Sequence, residues 1–175
     1  MSFVSALAVF DTASKYAKQQ SLSLKWPNDL LLNGAKLSGI LLETVQHNGR
    51  FGLIIGIGVN LVHGPVEDLL EARSLPGATL VECSEDEIAP EEFLIGLANA
   101  MEHWQSRWMS EGFVPIREAW LSRATGLGSQ ITARLPDREY EGVFEDVDEV
   151  GSLVLRTKSS VVVLPAADVY FRDTT

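Results

Sequence analysis

Lys25 and Lys36 flank the segment WPNDLLLNGA inside KWPNDLLLNGAKLSGILLE (residues 25–43), a stretch that otherwise reads as apolar strands and tight turns. An ammonium group among apolar residues is costly unless an anion or hydrogen-bond acceptors meet it. Two arrangements satisfy both lysines. Each could solvate a strand end, or the hairpin between them could bring both to one side of a sheet, with Asn28 and Asp29 in the connecting turn, and so build an anion site. Further on, GIGVN (56–60) follows the apolar run Phe51–Ile55, but position 61 is Leu where a dinucleotide-binding fingerprint needs its third glycine. Alternating Gly56 and Gly58 at a strand end mark either close approach of a ligand or a tight bend, and the pattern alone favours the bend.

Other chemistries find little support. His47, His63 and His103 are scattered without metal-ligand spacing, no G-x-S-x-G elbow occurs, and the single cysteine, Cys83, has no histidine near it in sequence. One cysteine leaves no internal disulfide or Cys-rich zinc site and suits a reducing compartment. No run approaches the roughly 18 apolar residues that span a bilayer, and residue 1 onward does not read as a secretory signal. A cytoplasmic protein with no membrane partner is expected. The 24 acidic and 14 basic residues give a formal charge of −10, which disfavours nucleic acid. An anionic ligand must therefore be met by a local cation.

The elements that would position these residues are legible as periodicities. Phe3, Leu7, Phe10, Ala13 and Ala17 fall at helical spacing within residues 2–20. SLSLK alternates as a strand, and Asn33-Gly34 and Asn48-Gly49, each between apolar runs, carry the residues that two-residue hairpin turns require. Residues 21–60 thus read as a meander of about four strands. Residues 61–92 turn to Pro, Gly and acidic types, with room for a short helix near 66–72. Phe93, Leu97, Met101, Trp104 and Trp108 form an amphipathic stripe in which the tryptophans read as core. Pro115 opens a shorter helix with Ile116 and Trp120. After Gly126 come QITARL, YEGVFEDVD, SLVLRT and VVVLPAADVYF, the short strands of a small barrel or sandwich. The expected class is α+β: a mixed, mostly antiparallel sheet flanked by helices over 1–126, then a β module over 127–175.

The motif order K-W-P-N-D, K-L-x-G-I-L and G-x-G-x-N, at this spacing, resembles the biotin protein ligases, and the likeness continues through REAWLSRA to the C-terminal strands. That family joins biotin and ATP into biotinyl-adenylate, then passes biotin to a lysine of a carboxylase carrier domain. The resemblance implies a class II aminoacyl-tRNA synthetase-like catalytic domain and a C-terminal SH3-like β-barrel. It implies that Lys36 contacts the biotin carboxylate and the α-phosphate, that Trp26 and Asn28 lie near the adenylate, and that Asn60 meets the nucleotide end; Lys25 is expected among the substrate- or nucleotide-binding residues. Asp29 would orient Lys36 or a phosphate-bound Mg²⁺, and Gly39, Gly56 and Gly58 would let the sheet backbone lie close beneath the ligand.

Family members carry, before the segment matching residue 1, a strand pair and a Gly/Arg-rich loop that wraps the ligands. The expectation is thus a catalytic domain lacking its N-terminal part and any DNA-binding domain. Two alternatives stand beside a working ligase: an inactive remnant that binds a carboxylate ligand or protein partner, and a ligase for lipoate or a similar acid. A sheet without its neighbouring strands exposes an edge and an apolar patch. Self-association of the 175-residue chain, seen in light scattering as a species larger than the monomer, is the expected outcome.

Overall fold

The computed structural model describes residues 1–17, 22–64, 75–84 and 88–171. The expected helix near 66–72 lies outside them. Helix α1 (Ser2–Ala13) ends earlier than its sequence pattern suggests, and it is buried on nearly every side rather than along one stripe. The reason is its place. It packs against the first sheet and against helices α2 (Pro90–Glu111) and α3 (Val114–Leu121), and a helix that is apolar all round belongs in an interior. Ser5, Ala6 and Ala8 keep it slim enough for these approaches.

The first sheet is the antiparallel meander β1 (Leu22–Lys25), β2 (Asp29–Leu32), β3 (Ala35–His47) and β4 (Arg50–Val59), in that spatial order. Both Asn-Gly turns have the positive φ angles that their residue types suggest, 50° and 82° at Asn33-Gly34, 48° and 75° at Asn48-Gly49. Strand β2 is buried throughout, consistent with its unbroken Leu30–Leu32 run. The far half of the β3–β4 hairpin leaves this core, exposing Leu41, Val45, Phe51, Leu53 and Ile54.

Asp11 ties the three helices together. Its Oδ2 accepts from Trp104 Nε1 at 2.8 Å and its Oδ1 pairs with Arg123 at 3.4 Å. The Arg123 guanidinium also lies over the Phe10 and Trp104 rings. The backbone just after α3 then returns to the sheet, where Leu24 N–H donates to Arg123 O and Thr125 N–H donates to Leu24 O. Of the two stripe tryptophans expected in the core, Trp104 is buried and Trp108 is half-buried against it; Trp120 on α3 is buried as well.

The second sheet comprises β5 (Gln130–Arg134), β6 (Glu139–Val147), β7 (Leu153–Arg156), β8 (Val161–Leu164) and β9 (Asp168–Phe171) in the order β8-β7-β6-β5-β9. The last strand returns to pair with the first, as a small barrel requires. VVVLPAADVYF, read as one strand-like segment, is two strands broken between Leu164 and Asp168; Pro165 at the break has no backbone donor for a ladder. Strand pairing is antiparallel in both sheets, so the mixed character expected of the first is confined to isolated parallel bridges such as Leu24 with Ala124 and Lys36 with Gly77. Among the described residues no helix is long and apolar enough to cross a membrane.

Replacing Asp11 with Ala strands the buried Trp104 N–H and one Arg123 charge together, so Asp11→Ala should lower the unfolding free energy by about 1–3 kcal/mol. Asp11→Asn, which keeps an acceptor, should lose less. Equilibrium urea unfolding measures both.

Candidate active site

The first sheet lines up Lys25, Asp29, Gly39 and Gly58 as direct cross-strand partners in one row. Asp29, expected in the turn, is the first residue of β2, the strand lying between those that carry the two lysines. Lys36 and Gly39 are three apart in β3 and would normally face opposite sides. A register shift between Leu30 and Leu31 takes up one extra β3 residue. As with other bulges, it re-aims a side chain: Leu37 and Ser38 are both buried, while Lys36 reaches over Gly39 on the Asp29 side.

Asp29 consequently faces two cations. Its Oδ1 is 2.7 Å from Lys36 Nζ and its Oδ2 is 3.6 Å from Lys25 Nζ. The lysines differ in exposure: the Lys25 side chain is 14% exposed and that of Lys36 is 45% exposed. Burial pushes the Lys25 ammonium below the ordinary lysine value. Asp29 opposes that shift, Lys36 adds to it, and Asp168 opposes it. The half-exposed Lys36 pair itself contributes only about 0.5–1 kcal/mol to stability.

Backbone contacts hold Lys36 firmly. Its N–H donates to Pro76 O at 2.7 Å, and its carbonyl accepts from Ala78 N–H at 2.9 Å and from Asn60 Nδ2 at 3.2 Å. Only the side chain retains freedom to follow a ligand.

A cleft of about 620 Å³ opens over this row, within the size range of small-molecule sites. Lys25, Asn28, Asp29, Lys36, Gly39, Gly56 and Gly58 line it, so seven of the nine residues singled out from sequence meet in one place. Trp26 and Asn60 do not line it. The Trp26 ring is buried, and its Nε1 donates to Gly151 O at 3.0 Å; Asn60 Nδ2 bridges Lys36 O and Ala78 O. Both act as braces behind the cleft.

The glycines divide by environment. A methyl group at Gly39 would lie 3.1 Å from Lys36 Cε and 3.2 Å from Nζ, whereas one at Gly58 would meet nothing within 4 Å. Among the described residues no atom would meet a side chain at 58, so packing there does not account for the glycine. Residues the sequence did not mark also line the cleft: Pro27, Ile40, Leu41 and Ile57, and, from the second module, Ala167, Asp168 and Val169. No local pattern around Asp168 distinguishes it from a surface acid. Among the described residues no three or more His, Cys, Asp or Glu side chains are grouped to hold a metal ion. Both oxygens of Asp29 already face ammonium groups, so this corner does not fit a dedicated Mg²⁺ site.

Residues 1–60 match the biotin/lipoate A/B protein ligase family, and 126–172 match the biotin protein ligase C-terminal domain. The biotin–[acetyl-CoA-carboxylase] ligase of Paracoccus denitrificans is 42% identical over 173 residues, covering 98% of this chain and 72% of that protein. The bifunctional ligase/repressor BirA of Bacillus subtilis is 29% identical over 170 residues, 97% of this chain but 52% of its own length. The solved biotin protein ligase of Aquifex aeolicus shares the fold with a TM-score of 0.80 at 20% identity, over 97% of this chain and 73% of that one. The chain belongs to the biotin protein ligase family.

Gly58→Ala should leave the unfolding free energy within about 0.5 kcal/mol of the natural value, since its methyl group has open space. Gly39→Ala should cost up to about 1 kcal/mol as the Lys36 ammonium is pushed off Asp29. Thermal unfolding of both variants checks the contrast.

Proposed function

We propose that the Lys25, Asp29 and Lys36 corner is where this biotin protein ligase joins biotin to ATP. A biotin carboxylate oxygen attacks the α-phosphorus, the bond to the leaving pyrophosphate breaks, and biotinyl-adenylate forms. The amine of a carrier-domain lysine then attacks the acyl carbon, an amide forms, and AMP leaves with the electron pair of the mixed anhydride.

The observation that carries this reading is that two ammonium groups share a single contacting carboxylate, Asp29, in a cleft whose other acid is Asp168, so two cations are gathered at one place on a chain of net charge −10. Two anionic substrates repel each other. A fixed cation between them lowers the cost of bringing them together and stabilises the negative charge spread over the phosphorus in the transition state. Such a step needs no protein nucleophile. As the substrates arrive, Lys36 exchanges Asp29 for the carboxylate and the α-phosphate, while Asp29 limits its wandering beforehand. Lys25 faces the phosphates, Asn28 is fixed by its Nδ2 bond to Ile40 O, and Gly56 and Gly58 admit the ligand close to the backbone.

The magnesium that accompanies ATP would arrive on the phosphates, since the corner supplies no donor set for it. The acceptor is a biotin carboxyl carrier domain of a carboxylase, consistent with the name of the Paracoccus relative. A reducing cytoplasm suits ATP-dependent work by a chain with one free cysteine.

Biotin-dependent exchange of labelled pyrophosphate into ATP is the test. Lys36→Ala should lower the exchange at least ~100-fold, and Lys36→Arg, which keeps the charge but not the compact shape, should retain part of it. Unchanged exchange in Lys36→Ala would remove the corner from the mechanism. Exchange supported by lipoate but not by biotin would change the acid, and no exchange with either would leave a binding remnant.

A further inference from the structure

At Lys36 the strand β3 changes neighbours. Its pairing with β4 runs as far as Ser38 with Val59, whereas Lys36 itself bridges in parallel to Gly77. Asn60, the residue after β4, stands in the fork between β4 and the segment Pro76–Ala78. Its N–H donates to Leu37 O at 2.9 Å, and its carbonyl accepts from Leu80 N–H at 2.9 Å. The side-chain Nδ2 donates to Lys36 O at 3.2 Å and to Ala78 O at 3.1 Å. Both partners are carbonyls, so only the nitrogen end of the amide can face them, and chemistry fixes its orientation.

Such a fork needs a cross-tie. Carbonyls where a strand changes partners lose the regular spacing of ladder donors, and buried ones must be satisfied in some other way; Ala78 is buried. The other edge of β3 gives Lys36 little help, because its pairing with Leu31 falls at the register shift, where the ladder to β2 is already interrupted. The segment beyond the fork is anchored independently. Leu80 is fully buried, and the Glu82 carboxylate accepts from Thr79 N–H at 3.3 Å and from Thr79 Oγ1 at 2.7 Å. The Asn60 amide therefore joins one fixed body to the backbone that carries the Lys36 side chain.

We infer that Asn60 is a positioning residue for Lys36: its amide sets where the ammonium group stands without touching substrate, in place of the nucleotide contact expected from sequence. The inference rests on the proposed role of Lys36 for its effect on rate, whereas the tie itself is geometric. A shift of the Lys36 peptide is carried out to Nζ, and a misplacement of about 1 Å in a group that must meet both reacting anions is enough to cost on the order of a hundred-fold. A carboxylate of the same shape at position 60 would set an acceptor against two acceptors and open the fork.

The test is saturation kinetics of biotin-dependent pyrophosphate exchange on the full chain, Asn60→Asp and Asn60→Ser, each also combined with Lys36→Ala. The rate at saturation should fall about ten-fold or more in Asn60→Asp and less in Asn60→Ser, which keeps one donor, while the KM for ATP stays within about two-fold. In the Lys36→Ala background the same substitutions should cost no more than about two-fold, since a residue that acts through Lys36 has nothing left to position. A raised KM for ATP at an unchanged saturating rate, or losses that multiply with Lys36→Ala, overturns the inference. Should Asn60→Asp fail to fold, Asn60→Ser carries the same comparison.

Amide hydrogen exchange by NMR is the second arm and needs no turnover. The Ala78 N–H, which donates to Lys36 O, should exchange at least about ten-fold faster in Asn60→Asp, with Ala133 in the second sheet as the unmoved reference. An unmoved Ala78 amide overturns the tie whatever the kinetics show. A natural chain that catalyses no exchange of pyrophosphate, with the Ala78 amide responding, would remove the functional reading and leave the tie standing.

Discussion

One carboxylate facing two ammonium groups is the constraint around which this molecule is arranged. Asp29 can face both lysines only because β2 lies between β1 and β3, and because the β3 register shift turns Lys36 onto the Asp29 side. Without that extra residue the strand alternation would send the position 36 and position 39 side chains to opposite faces. The site thus depends on a register irregularity more than on any single strong interaction, and the ion pairs it creates are individually weak in partly exposed surroundings.

What makes the arrangement rigid is the interior behind it. Helix α1 fills the space beneath the first sheet, and the Asp11 clamp on Trp104 and Arg123 ties α2 and the end of α3 to α1. The chain leaving α3 then hydrogen-bonds to Leu24, one residue before Lys25. On the other side, the backbone of Pro76–Ala78 and the Asn60 amide fasten the backbone of Lys36. A backbone held by so many contacts loses little further entropy when a ligand arrives, which is the physical content of a preorganised site. The C-terminal module joins this framework through Trp26 and Gly151 and adds a wall and a charge to the cleft.

The Asn-Gly turns, the β1–β4 meander, the long amphipathic helix with its core tryptophans and the strand-rich end were all legible, because each depends on preferences spanning a few neighbouring positions. Helix α1 was legible as a helix but not as a fully buried one, since burial on every side is imposed by three partners distant in sequence. Trp26 and Asn60 were legible as special residues while their direction was not: residue type alone does not set whether an indole or an amide points to ligand or to backbone, and here both point to backbone.

The sequence by itself determined which side chains were available for anion chemistry, that a family motif held them in order, and that a local cation was needed on an acidic chain. Tertiary structure alone decided that Lys25 is the more buried of the two lysines, that Leu37 is the residue absorbed by the register shift, and that Asp168 shares the cleft. The difference has a simple cause. Backbone preference decays over a few residues along the chain, whereas burial and electrostatic field depend on separation in space, and Gly151, which receives the Trp26 hydrogen bond, stands 125 positions further along.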